Sequence, residues 1–439
     1  MSTPSYSSVD DHLPRRYAPY AVAVLLLAYV VAFVDRQILN LLVEPIRRDT
    51  GLTDVEISLL QGLSFAIFVS VGGLPIGRLV DTRRRTALLA IGIAGWSLCT
   101  GAFGLAGSFA GMLLARIGVG VGEATMTPSA YSLIGDYVSD RRLGLAAAIY
   151  GLGPFAGSGL ALLLGAAVLR LLPADGFVVP LIGSIHSWQM IFLLLVPVGL
   201  LVAIWVASLR EPPRRLATPE PPDKAAIKHY FAQHGATIAG VNAATGFGAM
   251  ATYALLAWAP ALLSRRYGLS TAEAGERLGL VLITACCAGV LLAGQLGDVL
   301  RRRGHAGGRL IVLGGALLGA IPLAAWVPSA PTANAFLWRA TPLYFLLAAA
   351  IGSGPATLQE ITPNQMRGVQ HAIAVLIASL FGLGLGPTAV AVTTEHVLGS
   401  SARLGDALMI LLPLMLTVAL AATLLTIRSY ARTLAAVTR

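Results

Sequence analysis

Four charged residues sit where charge is expensive. Asp35, Arg36, Arg116 and Glu123 fall inside long apolar runs, and a charge in the core of a bilayer costs ~2.5–3.5 kcal/mol even on lenient insertion scales. Such residues pair with one another or line a path for an ion or a substrate. At ~1.5 Å per helical residue, Asp35 lies ~12 Å from the outer end of the first run and Arg116 ~11 Å from the outer start of the fourth. The two share a level. Glu123 is two helical turns beyond Arg116, on the same helix face and ~10 Å further inward. Neighbours in a helix point ~100° apart, so Asp35 and Arg36 should take different partners. The spacing predicts a network of Asp35 or Glu123 with Arg116 or Arg36 across helices, lining a central cavity.

Those residue types suggest a chemistry. An arginine fork suits a phosphate or carboxylate, and Arg36 or Arg116 can clamp one. A carboxylate whose arginine is drawn away by an anion takes up a proton, and releases it when the arginine returns. Glu123 and Asp35 are the candidates for that coupling. The alternative is a static ion pair locking the first run to the fourth, but four charges exceed what a simple staple needs. Apolar walls for an amphipathic substrate would come from Phe33, Phe65, Phe68, Tyr150, Tyr253 and Phe381, each of which reads equally well as packing. Gly118, Gly120 and Gly122 leave a strip of the fourth run bare, for close helix packing or for a ligand groove.

The elements that must position these residues are legible from composition. The chain has 439 residues, 56% hydrophobic and 12% charged, about half the ~25% charge of soluble domains, with a mean hydropathy of +0.76. That excludes an ordinary soluble enzyme, a disordered chain and a coiled coil. Apolar runs of spanning length recur twelve times, near 18–43, 55–80, 85–107, 109–136, 142–170, 188–209, 234–263, 271–300, 309–327, 335–360, 368–394 and 404–429. The first is too long for a signal peptide and reads as a span. The longest polar interval, 210–233, is charged and proline-rich and reads as a cytosolic linker. The expected organisation is an N-terminal six-helix bundle (1–209), the linker and a C-terminal six-helix bundle (234–439), an all-α integral membrane fold.

The net charge is +10, in short arginine clusters between spans. Membrane topology explains this better than nucleic acid does. With both termini inside, 21 of the 31 basic residues are cytosolic and eight are outside, which places both termini in the cytosol. Arginine dominance with abundant Ala and Gly suggests a bacterial inner membrane. The three cysteines lie in apolar runs and make no disulfide framework, and the seven histidines show no metal-ligand spacing. There is no Gly-x-x-x-x-Gly-Lys-Ser/Thr nucleotide loop and no nucleophile–base set, so an ion gradient rather than an enzymatic reaction should drive the protein. A non-transporting receptor or lipid scaffold is the remaining class.

An internal repeat supports transport. Gly77-x-x-x-Asp81 with Arg83–Arg85 closes span 2, and Gly294-x-x-x-Asp298 with Arg301–Arg303 closes span 8. Gly153-Pro154 in span 5 is echoed by Gly386-Pro387 in span 11. Duplicated bundles put a substrate site between the halves. The Gly77–Arg85 segment resembles the span 2–3 loop motif of the major facilitator superfamily, departing from it at Thr82 and Arg84. Arg116-x-x-x-Gly120-x-Gly122 resembles the span 4 motif of that superfamily. Asp35-Arg36, Gly122-Glu123-Ala124 and Gly135-Asp136-Tyr137 look like its spinster-like branch. Gly153-Pro154-x-x-Gly157-x-Gly159 resembles its antiporter motif, departing at Ile149 and Ser158, and a kink would serve as well.

The resemblance implies alternating access and export of lysophospholipids or sphingosine-1-phosphate-like lipids coupled to protons, by a monomer without a cofactor. A proton-coupled drug or small organic-anion antiporter is the second reading. It also implies a cytosolic gate of Gly77, Asp81, Gly294 and Asp298, extended by Arg85, Asp136 and Arg142, in which each aspartate faces a helix N-terminus of the other bundle. Glu360 and His371, flanking Arg367, are expected to be solvated gate residues.

Overall fold

A computed structural model describes residues 17–173, 176–180, 183–214 and 224–437. The termini, including Arg15, Arg16 and Arg439, and the 215–223 part of the expected linker lie outside the described residues. Within them are twelve helical spans: Tyr17–Leu41, Asp54–Gly73, Arg85–Leu105, Phe109–Tyr137, Arg142–Leu171, Ser187–Ala207, Ile227–Tyr267, Thr271–Arg302, Gly308–Trp326, Ala333–Glu360, Arg367–Val397 and Ser401–Val437. They are spans 1 to 12. Each is long and apolar enough to cross a bilayer with its backbone groups satisfied internally.

The packing repeats. In the first six spans, 1 packs on 5, 2 on 4, 3 on 4 and 3 on 6; in the second six, 7 packs on 11, 8 on 10, 9 on 10 and 9 on 12. Each contact in one bundle has its counterpart six spans later. The Gly-Pro echo has a matching local structure. A new helical segment starts at Gly153 in span 5 and at Gly386 in span 11, with the proline in its first turn, where a missing N–H costs nothing.

The helix of span 7 runs from Lys224 to Tyr267, so it enters the segment expected to be linker. Residues 224–233 hold no Gly or Pro, and Tyr230 gives the extension a buried anchor by donating to the Ile361 carbonyl. A two-stranded hairpin precedes span 6, with Phe177 opposite Ile185. Spans 2, 8 and 11 contain π-helical turns at Leu59–Leu63, Leu282–Cys286 and Ala378–Leu385.

The halves meet in the leaflet away from Tyr17 and Val437, the described ends of the chain. Spans 2 and 11 cross backbone to backbone there: a Cβ on Gly62 would lie 1.6 Å from the Leu383 carbonyl oxygen. Spans 5 and 8 cross at Gly159 and Gly279, where an added Cβ on either would come within 3 Å of the other's carbonyl oxygen. Only glycine fits these two crossings.

Candidate functional site

The charged site follows from the face that span 1 presents. Phe33, Arg36, Gln37 and Asn40 recur at helical spacing on one side, while Asp35 is turned into its own bundle. Asp35 accepts from the Thr100 hydroxyl of span 3 and lies 3.8 Å from the Arg116 guanidinium of span 4. Arg36 pairs with Glu123. The expected network therefore forms with its partners resolved: Asp35 with Arg116, Glu123 with Arg36. The π-helical turn of span 2 presents the Leu60 carbonyl to Arg116 Nε at 3.1 Å. Phe65 lies beneath both guanidiniums, 4.3 Å from that of Arg36 and 5.8 Å from that of Arg116. Phe33 flanks Arg36 at 4.4 Å.

The network is incompletely satisfied. Asp35 Oδ1, Arg36 Nε, Arg116 Nη2 and Glu123 Oε1 are each buried with no hydrogen-bond partner. Beside Arg36 a cavity opens between the halves, lined by Gln37 and Gln61 from the first and Tyr253, Leu383 and Pro387 from the second. Gln61 donates to the Ala257 carbonyl at 3.3 Å, and its own carbonyl is unpartnered. Gln37, Gln61 and Thr100 escaped the sequence reading. The available signal was an amide next to Arg36 for Gln37, an amide inside the apolar run of span 2 for Gln61 and a hydroxyl level with Asp35 for Thr100.

The proposed apolar walls divide. Phe33, Phe65 and Tyr253 reach the arginines or the cavity. Tyr150 is fully buried and stacks on Tyr29 at 4.5 Å. Phe68 lies over Gly120 where spans 2 and 4 cross, and Phe381 packs on Phe247 of span 7 at 5.4 Å. The glycine strip of span 4 is packing rather than a groove: Gly118 faces Cys99, Gly120 faces Phe65 and Phe68, and Gly122 faces Gly92 and Trp96.

On the face that carries the termini, the expected gate is not assembled across the halves. Gly77 and Gly294 have open space where a Cβ would stand. Asp81 and Arg142 are exposed, and Asp81 makes no ion pair among the described residues. Asp298 pairs with Arg309 of its own half at 3.1 Å. Arg85 and Asp136 do pair, inside the first bundle. The ion pairs that join the halves among the described residues lie on the opposite face instead. Glu360 is not solvated. It sits 8% exposed beside Arg309 and Arg301, at 3.4 and 3.6 Å, and accepts from the Tyr430 hydroxyl at 2.9 Å.

Glu211, beyond span 6, was not singled out from sequence. It accepts from the backbone N–H of Arg85 and of Thr86, at 3.2 and 2.9 Å, and from Arg85 Nε at 2.7 Å. A carboxylate there caps the positive end of span 3. Burial pushes the Glu211 carboxyl up, and the bonds from Thr86 and Arg85 outweigh it and hold it below its ordinary range.

The far face is locked by charges that the sequence leaves among loop residues. Arg265 of span 7 donates to both oxygens of Asp54, at 2.6 and 2.7 Å, and to Glu44 at 2.6 Å. Glu395 of span 11 accepts from the Asp54 and Val55 N–H groups at 2.6 and 3.3 Å. Arg170 pairs with Glu276 nearby. Every one of these contacts joins the first half to the second.

Two pseudo-repeated six-helix bundles, closed on one face around a cavity with buried charges, define a membrane transporter and not an enzyme. The chain belongs to the Major Facilitator Superfamily, whose family model matches residues 25–387. Over 430 residues, 94% of each chain, it is 29% identical to an MFS-type efflux pump of Mycolicibacterium smegmatis. Its structure is similar to that of a bacterial homolog of the human lysosomal transporter Spinster in an inward-facing, unoccupied conformation. The identity is 26% and the TM-score 0.77, over 96% of this chain and 98% of the other. The occupied inward-facing form of that homolog matches at 26% and 0.76, over 97% and 98%. These likenesses support the spinster-like branch. The protein is thus a multi-pass integral membrane transporter.

Proposed function

We propose that this transporter works by alternating access in a bacterial inner membrane, with both termini cytosolic, and exports anionic amphiphiles of the lysophospholipid or sphingosine-1-phosphate type in a proton-coupled cycle. One observation carries the reading: Asp35, Arg36, Arg116 and Glu123 each keep a buried polar atom without a hydrogen-bond partner. A static staple would satisfy those atoms, since a half-satisfied buried network is costly. An exchanging network needs them free. An anionic head arriving beside Arg36 takes the guanidinium as a fork, Glu123 loses its partner and takes up a proton, and Asp35 with Arg116 holds the level above. Phe33, Phe65, Tyr253 and Leu383 supply apolar contact for the rest of the molecule.

In this reading the far-face lock makes the conformation described here inward-facing. The outward-facing state closes the cytosolic gate through Gly77, Asp81, Gly294 and Asp298, with Arg85, Asp136 and Arg142 behind them. The proton is the coupling ion and no cofactor takes part. The full-length likeness to an efflux pump favours a second reading, a proton-coupled drug or small organic-anion antiporter, which predicts competition by those compounds instead of by lysolipid.

The test is uptake of a fluorescent lysophospholipid into proteoliposomes with and without an imposed pH gradient. Wild type should respond to the gradient and Glu123→Gln should lose that response. Well-folded wild type that moves no lysolipid would pass the lead to the antiporter reading.

A further inference from the structure

A second cavity lies where span 11 begins, on the face that carries the termini. It is lined by Leu358, Thr362, Arg367, Gln370, His371 and Ala374. Gln370 is only 2% exposed, yet neither its amide nitrogen nor its amide oxygen has a partner, and His371 Nε2 is buried and unpartnered too. The neighbours are already committed. The Thr362 hydroxyl donates to the Leu358 carbonyl at 2.7 Å, and the Thr362 carbonyl accepts from Arg367 Nε at 3.3 Å, which anchors that guanidinium at the rim. A buried amide that could bond and does not is costly in a folded protein.

The place of this cavity is as informative as its chemistry. The His371 ring meets Tyr131 of the other half edge-on at 5.9 Å, and Tyr131 is 41% exposed. Behind Tyr131 the rings continue in contact. Tyr131 meets Tyr150 at 5.2 Å, Tyr150 stacks on Tyr29 at 4.5 Å, and Tyr29 meets Phe33 at 5.2 Å, with Arg36 over Phe33. An unbroken series of rings thus joins the second cavity to the central charges.

We propose that Arg367, Gln370 and His371 form a staging site for the anionic, hydroxyl-bearing head of the substrate, with the open face of Tyr131 against its chain, from which the head passes inward to Arg36. The guanidinium meets the negative charge, the Gln370 amide offers one donor and one acceptor, and His371 Nε2 supplies a third polar contact. The site rests on the amphiphile reading above and extends it: the substrate is held twice, first at the mouth and then at the centre.

The probe is lysophosphatidylglycerol, used in equilibrium binding to nanodisc-held protein and in proteoliposome uptake. Gln370→Leu keeps the shape and removes the amide. It should raise KM about tenfold, the loss of one hydrogen bond to a charged group, with a smaller change in maximal rate. It should not lower the melting temperature of the unliganded protein, because no existing bond is broken. Arg36→Gln should retain part of the lipid binding, and adding Gln370→Leu should remove it. Free glycerol phosphate, which has the head without the chain, should compete weakly.

A KM within twofold of wild type, a fall of several degrees in melting temperature, or complete loss of binding in Arg36→Gln alone would each overturn the staging site while leaving the amphiphile reading intact. Glycerol phosphate competing as well as the lipid would overturn the role given to Tyr131. Wild type that neither binds nor moves the lipid would remove the amphiphile reading and the staging site together.

Discussion

Replacing Arg265 with Gln should open the far face. Arg265 comes from the second half, and the two carboxylates that it holds, Asp54 and Glu44, come from the first. The Asp54 side chain is completely buried, and without Arg265 its nearest cation is Arg47 at 3.8 Å. Removing one partner of a buried ion pair costs ~3–5 kcal/mol, mostly from the charge left behind. That cost falls on the conformation in which the halves meet, because parting them lets water reach Asp54. Taking ~3 kcal/mol, the equilibrium shifts roughly 150-fold. A conformation open on this face and populated at about 1% would rise to about 60%. The assay is a distance distribution between spin labels at Arg48 and Ala402, which are exposed and lie on opposite halves. Asp54→Asn should shift it less, since Arg265 keeps Glu44. An Arg265→Gln distribution identical to wild type would refute the claim that this cluster holds the halves together.

Glu211→Gln should lower the melting temperature at neutral pH, by the equivalent of about 1 kcal/mol for a lost cap. The Glu211 carboxyl lies below its ordinary value when folded, so its contribution is complete above roughly pH 4.5 and fades as pH falls further. The wild-type and mutant curves should therefore converge in acid, and a constant gap down to pH 3 would exclude this. Gly159→Val places a Cβ 2.3 Å from Ile283 and 2.8 Å from the Gly279 carbonyl oxygen, an overpacking of ~1–3 kcal/mol. Transport should fall about tenfold with the size-exclusion profile retained, and wild-type rates would show that spans 5 and 8 tolerate separation. Asp81→Asn breaks no ion pair here, so its melting temperature should stay within a degree or two of wild type. Distances across the face that carries the termini should shift toward the open arrangement, and an unchanged distribution would count against the latch.

The sequence alone determined the twelve spans, because bilayer thickness and backbone desolvation leave a run of ~20 apolar residues few alternatives. It also singled out the charges of the candidate site. Asp35, Arg36, Arg116 and Glu123 stand out against an apolar background, and helical depth arithmetic places them at compatible levels. Which carboxylate meets which arginine needed the tertiary structure. The ~100° between Asp35 and Arg36 says only that their partners differ, and the position of Thr100 on span 3 decides that Asp35 turns inward. The far-face lock was invisible for the opposite reason. Glu44, Asp54, Arg265 and Glu395 flank their spans, where charge is cheap and a pairing partner reads the same as a solvated residue. The expected gate on the other face was readable as a motif, and the structure does not assemble it as a contact between the halves. Gln370 and His371 mark the same boundary: their types are ordinary in sequence, and only packing reveals polar atoms buried without partners.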